Sequence, residues 1–299
     1  MRSTLLWSVA SRPGRDNGVG RLLVREIVPP RPSVPHLRTV RCTRYVTPLR
    51  EGGSLPAIME ADDDGLYVVK FRGAGQGPKA LTAELIAAAI GRMLELPVPE
   101  TVLVELDPAL GMAEPDPEIQ DLLQRSAGLN VGVDYLPGSL PLGAPIGSGV
   151  SQELAADVVW FDAFLMNVDR TPRNPNLLLW HRQLWMIDHG AAIYTQHGWS
   201  DDLAVIAAKA GARFPVIRDH VLLPIAGSIR EADARLAPRL SPDLMREVIA
   251  AVPDVLLEST LPFSSPERHR EAYVTHLAGR LVGPRAWVDE AEETRHAGA

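Results

Sequence analysis

The 299-residue chain is 46% hydrophobic and 22% charged, a balance that supports one large or two modest globular domains and excludes wholesale disorder, collagen and coiled coil. Its longest apolar stretch, Leu154 to Val168, is interrupted by Asp157 and Asp162, so no membrane span is expected, and its single cysteine, Cys42, excludes a disulfide framework or a CxxC site and suits a reducing cytoplasm. Ten arginines against Asp16 and Glu26 give residues 1–50 a net +8, which leaves −15 on the rest of a chain whose total is −7, and so acidic a body argues against direct nucleic-acid binding.

Residues 1–39 carry Pro13, Pro29, Pro30, Pro32 and Pro35 among scattered arginines with no sustained apolar period, a composition that predicts a disordered basic tail. The arginine-rich, acid-poor start has a transit-peptide composition, but its apolar run, Leu5 to Ala10, is shorter than a usual signal core. Thr43–Thr47, Ala57–Ala61 and Gly65–Phe71 then read as short strands of a small antiparallel sheet, separated by turn-rich segments. A helix is predicted over Lys79–Leu94, where Leu81, Leu85, Ala88 and Met93 recur at helical spacing before Pro97. A strand over Thr101–Leu106, a short helix over Pro117–Arg125 and a strand over Leu129–Leu136 lead to Pro137-Gly138, where a lobe boundary is expected.

Beyond Gly149 helices dominate. Ser151 is the expected cap of a helix over Glu153–Met166, with Leu154, Val158, Phe161 and Leu165 on one face. Strands Leu177–Trp180 and Leu184–Ile187 flank the turn His181-Arg182-Gln183, and Asp188-His189-Gly190 follows. Further helices are predicted near Asp201–Ala210, Ile229–Leu236, Pro242–Leu256 and Pro266–Leu281, and a flexible polar finish over 285–299. The fold class is therefore α+β: an antiparallel β part with one main helix over residues 40–137, and a mostly helical part over 138–284.

The stretch Asn167 to Gly190, NVDRTPRNPNLLLWHRQLWMIDHG, carries the chemistry. Phosphoryl transfer from ATP needs one carboxylate to orient or deprotonate the acceptor hydroxyl, with an amide oxygen and a second carboxylate to hold Mg²⁺. Asp169, Asn174 and Asp188 supply those groups in that order, and the hairpin between them folds Asp188 back beside Asn174. An Asp with an Asn five residues on is common in loops; the apolar hairpin and the Asp-x-Gly make coincidence a poor account. The same chemistry requires a phosphate-contacting lysine on the third strand. Lys70 sits there, one of only three lysines against 27 arginines, and Glu84 on the next helix is its candidate partner. The bland alternative is an edge lysine and a solvent-facing glutamate.

Gly52, Gly53 and Ser54 lie between the first two strands, where a phosphate-covering loop belongs. Gly73-Ala74-Gly75-Gln76-Gly77 is the weaker candidate, since it lacks a full GxGxxG in a βαβ setting. No HExxH occurs, the histidines lack metal-site spacing, and Gly147-Ser148-Gly149 is not GxSxG.

Together RYVTPLREGGSLPA at Arg44–Ala57, YVVKFRGAGQGPKAL at Tyr67–Leu81, LNVGVDYLPGS at Leu129–Ser139, NVDRTPRNPN and LWMIDHGAA resemble the HipA-like kinases in their compact form, over about Val40 to His197. The resemblance implies a two-lobed protein-kinase-like fold with ATP between the lobes. It further implies Lys70 on phosphate, a hinge from Val133 to Pro137 in which Val133, Asp134, Tyr135 and Leu136 meet the nucleotide, Asp169 as catalytic carboxylate, and Asn174 and Asp188 as Mg²⁺ ligands. Asn167-Val168-Asp169 and Asp188-His189-Gly190 depart from the His-Arg-Asp and Asp-Phe-Gly of ordinary protein kinases, and no Ala-Pro-Glu ends an activation segment. The family includes toxins that autophosphorylate in the phosphate loop and pair with a small DNA-binding partner protein, which makes Ser54 a conceivable modification site. Three readings follow: a Ser/Thr protein kinase, a small-molecule kinase of the same fold, and a nucleotide-binding pseudokinase or partner module. The complete Lys70, Asp169, Asn174 and Asp188 set weighs against the last.

Overall fold

In the computed structural model, residues 33–49, 55–75, 77–143, 149–258 and 262–298 are described. Strand β1 (Thr39–Pro48), β2 (Ala57–Ala61), β3 (Leu66–Lys70), helix α1 (Gly77–Met93), β4 (Thr101–Leu106), helix α2 (Pro117–Arg125) and β5 (Gly128–Asp134) come first. The five strands close in the order β1-β2-β3-β5-β4. All pairs are antiparallel except β1 with β4, where Thr39–Arg41 runs parallel to Leu103–Glu105. The expected antiparallel sheet thus needs a correction: one long-range parallel pair closes it into a barrel. Val40, Cys42, Met59, Tyr67, Val69 and Val104 fill the interior. Space there is tight at Gly132, where an added Cβ would stand 2.6 Å from Val104 Cγ2.

The second part holds β6 (Leu140–Pro141), helix α3 (Gln152–Leu165), the hairpin β7 (Leu177–Trp180) and β8 (Gln183–Met186), then α4 (Leu203–Ala210), α5 (Ile229–Leu236), α6 (Pro242–Ala250), α7 (Pro266–Val282) and α8 (Ala286–Ala297). Strands β6, β7 and β8 form a second sheet. The hairpin turn is the two residues His181 and Arg182, both at positive φ (48° and 66°), the backbone a two-residue hairpin turn demands. Ser151 caps α3, its hydroxyl accepting from the Leu154 N–H at 3.1 Å. That helix is apolar nearly all round and buried accordingly, and α1 packs into the same core. The described residues from 33 onward belong to one compact unit. The mixed architecture agrees with the α+β expectation at that level.

Three further expectations require correction. The predicted helix over Pro242–Leu256 ends at Ala250, with Pro253 and a single 3₁₀ turn at Asp254–Leu256 following. Order begins before residue 40: Val34 and Leu37 pack on the core, and the Arg38 carbonyl accepts from the Leu103 N–H at 2.8 Å. The remainder of the predicted tail, residues 1–32, lies outside the described residues. The flexible C-terminal finish is instead helix α8, whose Trp287, Val288 and Ala291 are buried at helical spacing. Trp287 meets Trp160 edge-on at 5.4 Å and lies 5.2 Å from the Arg280 guanidinium.

Arg280 itself is fully buried and donates to the carbonyls of Ala163 and Phe164 at the end of α3, and of Ala210 at the end of α4. Two helix C-termini thereby stabilise one cation. Among the described residues no helix is long and apolar enough to cross a membrane.

Candidate phosphotransfer site

Lys70 ends β3 and Glu84 lies in the second turn of α1, so the strand-to-helix connection alone brings them near each other. Lys70 Nζ lies 2.7 Å from Glu84 Oε2 and 2.6 Å from Asp188 Oδ1. Glu84 is buried (side chain 1% exposed), Lys70 nearly so (14%), and Asp188 opens to solvent (45%). Burial alone would raise the Glu84 pKa, but the charge of Lys70 first, and then the His189 side chain, hold it well below the usual carboxylate range; the His189 backbone N–H also donates to Oε2 at 2.7 Å. Lys70 is shifted the other way: burial would lower it, and the two carboxylates raise it. Glu84 and Lys70 are therefore both charged at neutral pH.

The Asp188 backbone is left-handed (φ 52°), a conformation Asp tolerates better than most residues. It turns the chain out of the hairpin, so that the next N–H, on His189, caps Glu84. His189 takes the place of an aromatic residue: its ring is buried, stands edge-on to Phe161 at 5.9 Å, and its Nδ1 lies 3.6 Å from Glu84 Oε1.

Asp169 and Asn174 meet across a tight loop. Asn174 Nδ2 donates to Asp169 Oδ2 at 2.8 Å, and reciprocal backbone bonds between Thr171 and Asn174, both 3.1 Å, fix the intervening turn. Asn176, which the sequence reading did not single out, donates to the Asp169 carbonyl at 3.2 Å. Beneath the loop lies a buried network also missed: Asp162 with Arg170, His220 and Asn167. Its signal was present in the sequence, because an Asp inside a helix apolar all round must find a partner.

Val133 and Asp134 end β5, paired with Val68 and Tyr67 of β3, and the Tyr135 N–H continues the pairing to Leu66 O at 2.9 Å. Val133 and Leu136 are buried. The next residue, Pro137, accepts from Trp180 Nε1 at 3.0 Å, which ties this segment to the β7–β8 hairpin. Gly52, Gly53 and Ser54 lie outside the described residues. Gly73 is used structurally: its N–H donates to Ser126 Oγ at 3.1 Å, and a Cβ there would strike α2.

Whether Mg²⁺ suits this site can be judged from the donors. Asn174 spends its NH₂ on Asp169, leaving its amide oxygen, and Asp188 offers a solvent-facing carboxylate. Among the described residues no group of three or more His, Cys, Asp or Glu side chains could hold a metal by itself. Two hard oxygen donors fit Mg²⁺, which takes much of its octahedral shell from phosphates and water.

A buried lysine locked by a helix glutamate, facing the carboxylate of a hairpin-delivered Asp-x-Gly, is the arrangement that defines a kinase. The HipA-like kinase family model matches residues 43–206, more than half the chain, and the chain belongs to that family. A solved structure, the Helicobacter pylori proinflammatory kinase CtkA, is similar over 81% of this chain and 94% of its own, at 17% sequence identity and a TM-score of 0.46. No curated protein matches the chain.

Proposed function

We propose that this kinase has the two-lobed architecture, with residues 40–137 and 138–284 as its lobes, and moves the γ-phosphoryl group of ATP, in the presence of Mg²⁺, to a serine or threonine hydroxyl of a protein. The observation that carries this reading is the meeting of Lys70, Glu84 and Asp188 within hydrogen-bond distance. Lys70 contacts the ATP phosphates and Glu84 holds it there. Asn174 and Asp188 hold Mg²⁺, which when bound neutralises charge on the transferring group. Asp169 accepts the proton of the acceptor hydroxyl as its oxygen bonds to the γ-phosphorus and the bond to ADP breaks. Val133 to Leu136 contact the nucleotide, and Gly52, Gly53 and Ser54 cover its phosphates. The single buried Cys42 favours the cytoplasm.

A specific observation also favours a small-molecule acceptor. From Gly190 the chain passes through a 3₁₀ turn at Tyr194–Gly198 directly to α4 at Leu203. Gln196 is buried there, hydrogen-bonded to the Tyr273 hydroxyl, and its carbonyl receives Lys79 Nζ at 3.4 Å. So short and tied a segment offers little docking length for a peptide.

The deciding experiment incubates purified protein with γ-labelled ATP and Mg²⁺, alone and with cell lysate, beside Asp169→Asn. Label in protein that vanishes in the variant supports the first reading, and label only in small molecules moves the acceptor to the second. Transfer undiminished in Asp169→Asn overturns the assignment.

A further inference from the structure

Arg170 directly follows the proposed catalytic carboxylate, and its side chain, like that of Asp162, is completely buried. Its Nε donates to Asp162 Oδ2, and its Nη1 donates to the carbonyl of Asn176 at 2.5 Å and of Ile187 at 3.3 Å. Those two carbonyls flank the ends of the β7–β8 hairpin, whose mouth is closed by the Ile187 N–H on Asn176 O at 3.0 Å. Ile187 immediately precedes Asp188. Asp162 in turn accepts from Asn167 Nδ2 at 2.9 Å, and Asn167 Oδ1 accepts the Asp169 N–H at 3.1 Å. His220 completes the anchor. Its Nδ1 accepts from the Leu222 N–H at 3.1 Å, so Nε2 carries the proton that faces Asp162 Oδ2 at 2.9 Å. One guanidinium thus links the loop bearing Asp169 and Asn174, the strand end bearing Asp188, and a rigid position on α3.

Stability alone is a weak account of this arrangement. A buried ion pair roughly breaks even against apolar side chains of similar size, and here Arg170 Nη2 is buried without a hydrogen bond, an added cost. What the pair supplies is a fixed spacing.

We infer that Arg170 is a positioning residue: held by Asp162, it sets the separation of Asp169 and Asn174 from Asp188, so that both arms address one phosphoryl group. This rests on the proposed kinase reading. Arg170→Lys keeps a charge opposite Asp162 but loses the fork to both carbonyls. The pair Asp162→Asn with Arg170→Gln removes both charges while keeping polar partners for Asn167 and His220. In both proteins ATP affinity without Mg²⁺ stays at the wild-type level, the tightening caused by Mg²⁺ is lost, and turnover of Mg²⁺-ATP falls about a hundredfold, the cost of a misplacement near 1 Å. The neutral pair keeps the wild-type melting temperature, so it decides the matter should Arg170→Lys fail to fold.

Wild-type turnover and Mg²⁺ response in the neutral pair would overturn the inference, as would activity losses that merely follow the melting temperature. The kinase reading fails separately, and takes the inference with it, if the wild-type protein shows neither Mg²⁺-dependent tightening nor turnover sensitive to Asp169→Asn.

Discussion

Lys70 and Glu84 should be energetically coupled, and a double-mutant cycle measures by how much. In Glu84→Ala, Lys70 keeps Asp188 at 2.6 Å but loses its buried partner at 2.7 Å, and the His189 N–H loses its acceptor. Breaking a buried pair costs about 3–5 kcal/mol. Asp188 is screened by solvent and compensates only in part, so the low end, about 3 kcal/mol, is expected for the lysine. The orphaned N–H adds about 1 kcal/mol. Lys70→Met leaves Glu84 with the His189 N–H and should cost about 3 kcal/mol. The double variant no longer buries either charge, so its loss should fall short of the sum of the singles by about 2 kcal/mol. Urea unfolding of the four proteins at pH 7 in the presence of a chelator gives the cycle. Additivity to within about 0.5 kcal/mol would refute the coupling and with it the charged state assigned to the pair.

Two other outcomes test the packing. Trp287→Ala should destabilise the protein by about 3–5 kcal/mol, and a chain ending at residue 284 should melt lower still; an unchanged midpoint in either would contradict the docked α8. His276 is pushed down to about 3, by burial first and then by Arg280. A histidine depressed in the fold contributes stability that is complete above its unfolded value of about 6.5 and is lost as pH falls towards 3, with a slope of up to about 1.4 kcal/mol per pH unit. Unfolding free energies between pH 7 and pH 4 should therefore fall less steeply in His276→Phe, and an identical slope would argue against a neutral buried ring.

Much of the geometry of the candidate site could be read from the sequence because its residues are unusual where they stand. A lysine at the end of an apolar strand in an arginine-rich chain attracts notice, and the Asp169, Asn174, Asp188 order is fixed by a hairpin whose short apolar strands are plain in the residues. Local signals also placed Ser151 at its helix cap. What escaped was decided by distant partners. The β1–β4 pair joins strands about sixty residues apart along the chain, a pairing no local pattern encodes. Helix α8 has only Trp287, Val288 and Ala291 to mark its buried face among acidic residues, so composition read as solvent-facing. Asp162 looked like an interruption of an apolar stretch, whereas it is buried against Arg170, the residue that follows Asp169.

The guanidinium of Arg280 has a thermal consequence. Holding a cation away from water is most expensive in the cold, because hydration of charge carries a strongly negative entropy and weakens on warming. The carbonyl contacts at the ends of α3 and α4 do not share that dependence, so the balance at Arg280 shifts towards the folded state as temperature rises. This one residue, seated where the helix that leads to the loop of Asp169 and Asn174 stops, should therefore help keep the start of that loop in place in the heat.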